Sequence, residues 1–364
     1  MQISLFKRIT TTYIIIGTTF KKWLSPILIG FFLIIVRLTI FFFMTLDYIF
    51  IPSLWKKKIK SPIIIVGNPR SGTTFLQRFL VKNGFGVGTQ LWQMIYSSIL
   101  LQKILKPILP LLEYVSPAKH HSTDAHKTSL TSVETDDASM LFRFFDGFFL
   151  YGFLLSWSKN DLFHWVDPKK RDNTKRDFSW FKSLWKRVLI FNKGDRIVAK
   201  LFSLSTTSPQ FIKKFPDAKI LYMVRDPLNV IPSGLSLVTG VLDKMFDFWN
   251  LPEVDRKRFI LRLYNALVEL QLRFHDDWTS NKINRSNVMI VRFDEMMNNF
   301  DSLMDKIISF TGHEKSDDLL NEIKITANKQ KLFKSNHKYN LEKFGLNEKM
   351  IKNDCKAIYE TFIN

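Results

Sequence analysis

Residues 63–80 read IIIVGNPRSGTTFLQRFL. The opening run Ile63–Val66 is short, apolar and β-branched, and it sits between Pro62 and Gly67. Such a run predicts a strand buried on both faces of a parallel sheet. A loop follows, and the pattern predicts a helix over Thr73–Lys82. Gly67 and Gly72 stand five apart, with Thr73 and Thr74 after them. That is the spacing of the phosphate loop G-x-x-x-x-G-K-[ST], with Thr73 where the lysine would be. Glycines let backbone fold close around a phosphate, and the N–H groups that open the helix point at it along a favourable dipole. The lysine of the usual loop neutralises the β- and γ-phosphates of a triphosphate. Here the cation is Arg70, inside the loop.

Further along the chain, RIVAK (Arg196–Lys200), KILYMV (Lys219–Val224) and NVMIVRF (Asn287–Phe293) predict more strands. Helical patterns lie between them, the clearest over Asp255–Trp278. Strands alternating with helices predict an α/β fold with a parallel sheet and helices on both faces. There is no internal repeat and no long low-complexity linker. The Phe-dense stretch 141–157, LFRFFDGFFLYGFLLSW, reads as a core or membrane-contacting helix. Its functional alternative is an apolar wall or lid over a lipid-like acceptor.

The chain has 53 Lys and Arg against 33 Asp and Glu, a net charge of +20. That surplus points to an anionic partner: nucleotide, nucleic acid, acidic glycan or acidic membrane. Zinc-finger spacing, basic-region heptads and RNA-binding aromatics are absent, which argues against nucleic acid. With one cysteine, Cys355, the chain can form no internal disulfide and no Cys-based metal site. A domain that needs no disulfide fits a reducing compartment.

Trp23–Ile51 reads WLSPILIGFFLIIVRLTIFFFMTLDYIFI, interrupted by Arg37 and Asp47 and flanked by Lys21, Lys22 and Lys56–Lys58. A bilayer span needs about 20 apolar residues. Arg37 at mid-span argues against a simple crossing centred on it, and lysines at both ends leave the orientation undecided. A re-entrant hairpin or interfacial helix suits the pattern at least as well. The expectation is a membrane-associated segment over 1–60 and a globular domain over 61–364.

PRSGTT (Pro69–Thr74) after an apolar strand resembles the 5′-phosphosulfate loop of the sulfotransferases. In ILYMVRDPLNVIPSGLS a strand runs into Arg225-Asp226-Pro227, and Ser233 follows Arg225 by eight residues. This resembles the family's 3′-phosphate motif, and an arginine fork with a helix hydroxyl suits a phosphate monoester. FPDAKILYMVRDP (Phe215–Pro227) and HKYNLEKFGL (His337–Leu346) are similar to elements of the bacterial-type branch.

The resemblance implies a three-layer parallel sheet of P-loop-nucleotide-hydrolase-like architecture, preceded by the N-terminal hydrophobic helical segment. It implies transfer of a sulfuryl group from 3′-phosphoadenylyl sulfate (PAPS) to a hydroxyl acceptor, without a metal. Arg70 would face the leaving phosphate, with Ser71, Gly72, Thr73 and Thr74 on the 5′-phosphosulfate, and Arg225 and Ser233 on the 3′-phosphate. Lys200 would be a second catalytic cation, weighed evenly against a solvated strand-end charge. Many members carry a base histidine two residues later, where this chain has Phe202. The acidic cluster VETDDASML (Val133–Leu141) resembles the bacterial branch's alternative, with Asp136 and Asp137 favoured over Glu134 as catalytic base. The competing reading of that cluster is an acidic helix start complementing the dipole.

KHHSTDAHK, with His120, His121, Asp124 and His126, lacks recognised metal spacing and reads as a polar loop. His164 and His275 read as packing or surface residues. The expected partners are a hydroxyl-bearing small molecule, lipid or glycan and a membrane, with the catalytic domain on the cytoplasmic side. A P-loop kinase-like phosphotransferase would want lysine at Thr73, and a non-catalytic membrane scaffold would show damaged nucleotide motifs.

Overall fold

The structure is a computed structural model and describes residues 2–116, 128–332 and 340–364. Contacts divide it into two compact units. One comprises Met1–Ile59, Gly88–Asp195 and Leu235–Ala266, and the other Lys60–Val87, Arg196–Gly234 and Leu267–Asn364.

The second unit holds the sheet. Its strands are β1 (Ile63–Val66), β2 (Val198–Lys200), β3 (Lys219–Val224) and β4 (Val288–Arg292), all parallel in the order β2-β1-β3-β4. Side chains alternate across a strand, and here both faces are covered. Ile63, Ile65, Leu221 and Met223 pack with Leu76 and Leu80 of helix Thr73–Lys82 and with Phe300, Leu303 and Ile307 of helix Phe300–Thr311. On the other face Tyr222 stacks on Phe274, in helix Glu253–Thr279, beside Phe362. The result is three layers, as the apolar runs predict.

Two strands begin later than their apolar patterns do. RIVAK pairs with β1 from Val198; ahead of that, Ile197 bridges Val87 and the Arg196 carbonyl accepts from the Val87 N–H at 2.8 Å. NVMIVRF begins at Val288 after a 3₁₀ turn over Arg285–Asn287, and Phe293 opens a helix.

The first unit is helical. Its helices include α1 (Leu5–Phe20) and α2 (Leu24–Phe50). α2 is long and apolar enough to cross a membrane by length and composition. Its only buried residues are Ile40, Met44 and Asp47, spaced along one face of the second half. Asp47 is not a stray charge: it accepts from Ser98 Oγ (2.9 Å) and from the N–H groups of Ile99 and Leu100 (3.0 Å each), and it pairs with buried Arg187 at 3.0 Å. It therefore satisfies the first turn of helix Ile99–Leu105, a role the local sequence does not announce. Arg37 donates to the Arg143 carbonyl.

The expected helix over 141–157 is broken. Helices Ala138–Phe144 and Phe148–Phe153 are separated at Phe145 (φ 51°) and Gly147 (φ 86°). The break places Asp146 between Arg171 and Arg176, both at 2.8 Å, and Arg8 at 3.9 Å. Leu150, Tyr151, Leu155 and Trp157 of the stretch are buried in the core.

Candidate active site

The loop after β1 turns on two glycines at backbone angles that a side chain would strain. Gly67 has φ +138°, and a Cβ there would lie 2.6 Å from the Met223 carbonyl oxygen. Gly72 has φ +90°, and a Cβ would lie 2.4 Å from Met296 Cε. Arg70 adopts φ 77°, the left-handed region that side chains rarely occupy. Asn68 braces the loop by donating to the Leu267 carbonyl at 2.8 Å. Helix Thr73–Lys82 then starts at Gly72, leaving its first N–H groups without intrahelical acceptors.

Five of the residues singled out in the sequence meet here. Arg70 Nε donates to Ser233 Oγ at 3.1 Å. Arg225 Nη1 donates to the Arg70 carbonyl at 2.6 Å. Lys200 Nζ donates to Thr74 Oγ1 at 2.8 Å. The topology causes this. β1 lies between β2, which ends at Lys200, and β3, which ends one residue before Arg225. Ser233 follows on helix Pro227–Phe246. The carboxyl ends of neighbouring parallel strands thus collect three cations and two hydroxyls around one helix N-terminus, the usual place for a ligand in such sheets. The set suits an anion bearing more than one phosphate-like group.

Ser71 and Thr73 differ from these five. Ser71 is buried and its Oγ donates to the Asn68 carbonyl at 2.7 Å, so the hydroxyl closes the loop. Thr73 is buried at the first helical position.

Two participants carry no motif. Phe293 lies under the Arg225 guanidinium, with the charge 4.3 Å from the ring centroid. Its position just past β4 was the available signal, since ligands gather at strand carboxyl ends. Tyr359 donates to Asp226 Oδ1 at 2.6 Å and ties the C-terminal segment to the Arg225-Asp226 corner. Burial, and then this hydrogen bond, push the Tyr359 hydroxyl up, so it stays a proton donor.

The acidic cluster belongs to the other unit. Asp136 is fully buried and its Oδ1 accepts from Thr89 Oγ1 (2.7 Å) and Trp185 Nε1 (2.9 Å). Asp137 precedes helix Ala138–Phe144 and accepts from Thr135 Oγ1 at 2.9 Å. Glu134 accepts from Ser132 Oγ at 2.9 Å. Phe202 leads into a 3₁₀ turn after β2. The cluster with His120, His121, Asp124 and His126 lies outside the described residues, as does His337; Phe344 and Leu346 of the C-terminal element are buried.

In structure the chain is similar to the sulfotransferase STF1 from Mycobacterium tuberculosis H37Rv, at 17% identity and a TM-score of 0.65 over 96% of this chain and 90% of that one. It is also similar to STF9 from Mycobacterium avium, at 16% identity and a TM-score of 0.63 over 88% and 81%. At these identities the likeness is one of fold. No curated protein matches the chain. The sulfotransferase family model matches residues 62–317, from the start of β1 to beyond β4. The chain belongs to the sulfotransferase family.

Proposed function

We propose that the protein transfers the sulfuryl group of PAPS to a hydroxyl acceptor. The observation that carries this is the joining of the two phosphate motifs: Arg70, from the first, donates to Ser233, and Arg225, from the second, donates to Arg70. A donor phosphorylated at both its 3′ and 5′ ends fits two such linked sites, and Thr73 in place of lysine disfavours a triphosphate.

In the reaction the acceptor oxygen attacks sulfur, the bond from sulfur to the 5′-phosphate oxygen breaks, and adenosine 3′,5′-bisphosphate leaves. Arg70 and Lys200 meet charge as it develops on the leaving oxygen. The N–H groups opening helix Thr73–Lys82, with Ser71, Gly72, Thr73 and Thr74, hold the 5′ end, and Arg225 and Ser233 hold the 3′-phosphate. The acceptor proton goes to a carboxylate of the Asp136–Asp137 pair. Asp136 Oδ1 accepts from two side-chain donors and Asp137 from one, Thr135 Oγ1; we take Asp137 as the base and Asp136 as a positioning residue.

The acceptor is a lipid, glycolipid or membrane-linked glycan. This reading rests on α2, whose Phe31, Phe32, Leu38, Phe41 and Phe42 are each about 60% exposed or more. Apolar exposure of that extent supports a membrane contact. The protein is membrane-associated, with the catalytic domain on the cytoplasmic side.

The test is transfer of radiolabelled sulfate from PAPS to a fractionated lipid and glycan extract, with Lys200→Met and Arg225→Ala in parallel. Label should appear with wild type and fall at least 100-fold with Lys200→Met, the loss expected when transition-state charge goes unmet. Equal labelling by all three proteins would refute the assignment.

A further inference from the structure

The helical unit contains a groove of about 900 Å³ between the second half of α2 and helix Thr174–Phe191. One wall is apolar and comes from α2: Phe41, Met44, Thr45 and Ile49. The other carries Arg143, Arg176 and Trp180.

The charges there do not balance. Arg176 is matched by Asp146 at 2.8 Å and Asp177 at 2.6 Å. Arg143 has no carboxylate within ion-pair distance among the described residues; its guanidinium lies over the Trp180 ring, 5.0 Å from the centroid. Arg37 approaches from the middle of α2, donating to the Arg143 carbonyl, and it too has no carboxylate partner among the described residues. Burial first, and then the charges of Arg37 and Arg187, hold Arg143 below its ordinary value. Arg187 already has Asp47. Asp172, on the rim, is engaged by the N–H and hydroxyl of Thr174 at 2.9 and 2.7 Å. A partly buried guanidinium without a counter-ion, Arg143, set beside an apolar wall and next to a second such group in Arg37, is costly unless an anion joins it. A small hydrated anion would leave that wall exposed to water. An anion carrying hydrocarbon satisfies both walls, and the exposed face of α2 leads from the groove to a lipid phase.

We propose that this groove binds one anionic phospholipid, its headgroup on Arg143 and an acyl chain along Phe41, Thr45 and Ile49. The site is independent of the sulfuryl-donor reading. It gives the helical unit a preference for acidic membranes.

The full chain in detergent micelles should be titrated with phosphatidylglycerol, with phosphatidylcholine and with inorganic phosphate, and bound lipid counted by native mass spectrometry. One phosphatidylglycerol should be retained at least tenfold more tightly than phosphatidylcholine, and millimolar phosphate should neither bind nor displace it. Arg143→Gln should abolish the preference. Ile49→Asp, at a position 64% exposed and so compatible with folding, should lower phosphatidylglycerol retention at least tenfold. Equal retention of the two lipids, wild-type retention in both variants, or binding of phosphate as tight as that of phosphatidylglycerol would each overturn the proposal.

Discussion

Arg70 Nε and Ser233 Oγ are 3.1 Å apart, which joins the loop after β1 to the helix after β3. Arg225, which donates to the Arg70 carbonyl, and Ser233 lie on the β3 side of this join, and removing either should act on the 3′-phosphate more than on the 5′ end. Arg225→Ala removes a charged fork and should weaken adenosine 3′,5′-bisphosphate about 10- to 100-fold, the range for a hydrogen bond to a charged group. Ser233→Ala should weaken it about tenfold. Adenosine 5′-phosphosulfate, which lacks the 3′-phosphate, should lose less than threefold in either variant. Calorimetric titration of both nucleotides decides this, and equal losses for the two would place the 3′-phosphate elsewhere.

Gly72 offers a test of the loop itself. With φ +90° and Met296 Cε 2.4 Å from a built Cβ, Gly72→Ala meets both backbone strain and a clash. Together these should lower stability by about 2–3 kcal/mol. Met296 is buried, so Met296→Ala is destabilising alone, yet in that background the Gly72→Ala penalty should shrink by about 1 kcal/mol as the clash goes and the strain stays. Urea unfolding of the four proteins measures the coupling. Strict additivity would mean that the methionine does not shape the loop.

The parts of this molecule that are legible in its sequence are those fixed locally. Lys219–Val224 and Thr73–Lys82 have the bounds that their apolar runs and glycine predict. The residues of the phosphate loop are legible as a motif for the same reason, since glycine spacing is a property of adjacent positions. What is not legible depends on residues far apart. The start of RIVAK is taken up by Val87, more than a hundred residues away, which bridges Ile197. The 141–157 stretch breaks where Asp146 meets Arg8, Arg171 and Arg176, so no window around Phe145 contains the reason. Asp47 looks like a fault in an apolar helix until Ser98 and Arg187 are brought to it. Phe293 stands under Arg225 only because β4 is placed beside β3.

The neighbours Asp136 and Asp137 should separate by what they disturb. Asp136→Ala leaves Thr89 and Trp185 without a buried acceptor and should lower stability by about 2–4 kcal/mol, taking each orphaned donor at the usual penalty. Asp137→Asn should leave the melting temperature within a few degrees of wild type and lower kcat about 10²- to 10⁴-fold, as loss of a general base does. Melting curves and turnover measured on the same preparations distinguish them. A stable, fully active Asp137→Asn would remove that residue from proton transfer.

Asp177 gives a pH dependence of defined sign. Burial raises its carboxyl from 3.8 to about 6, although the charge and hydrogen bond of Arg176 pull the other way. Between about pH 4 and pH 6 the folded chain therefore keeps a proton that the unfolded chain releases, and stability falls as pH rises through that window. Above it the deficit persists. Asp146 works in the opposite sense. Burial raises it too, but the hydrogen bond and charge of Arg171, then Arg176 and Arg8, hold it below the ordinary range. Its contribution is complete above about pH 4 and is lost only on further acidification. Between pH 4.5 and pH 7 His313, held below its ordinary value by burial and then by Arg196, works in the opposite sense to Asp177, so the comparison with Asp177→Asn is what isolates the carboxyl. Asp177→Asn removes the titration and loses part of the pairing with Arg176 at 2.6 Å. The variant should be more stable than wild type at pH 7, by on the order of 1 kcal/mol after that loss, and no more stable at pH 4.5. Urea midpoints across the range measure the difference. A gain independent of pH would show that packing, and not the buried charge, sets the effect.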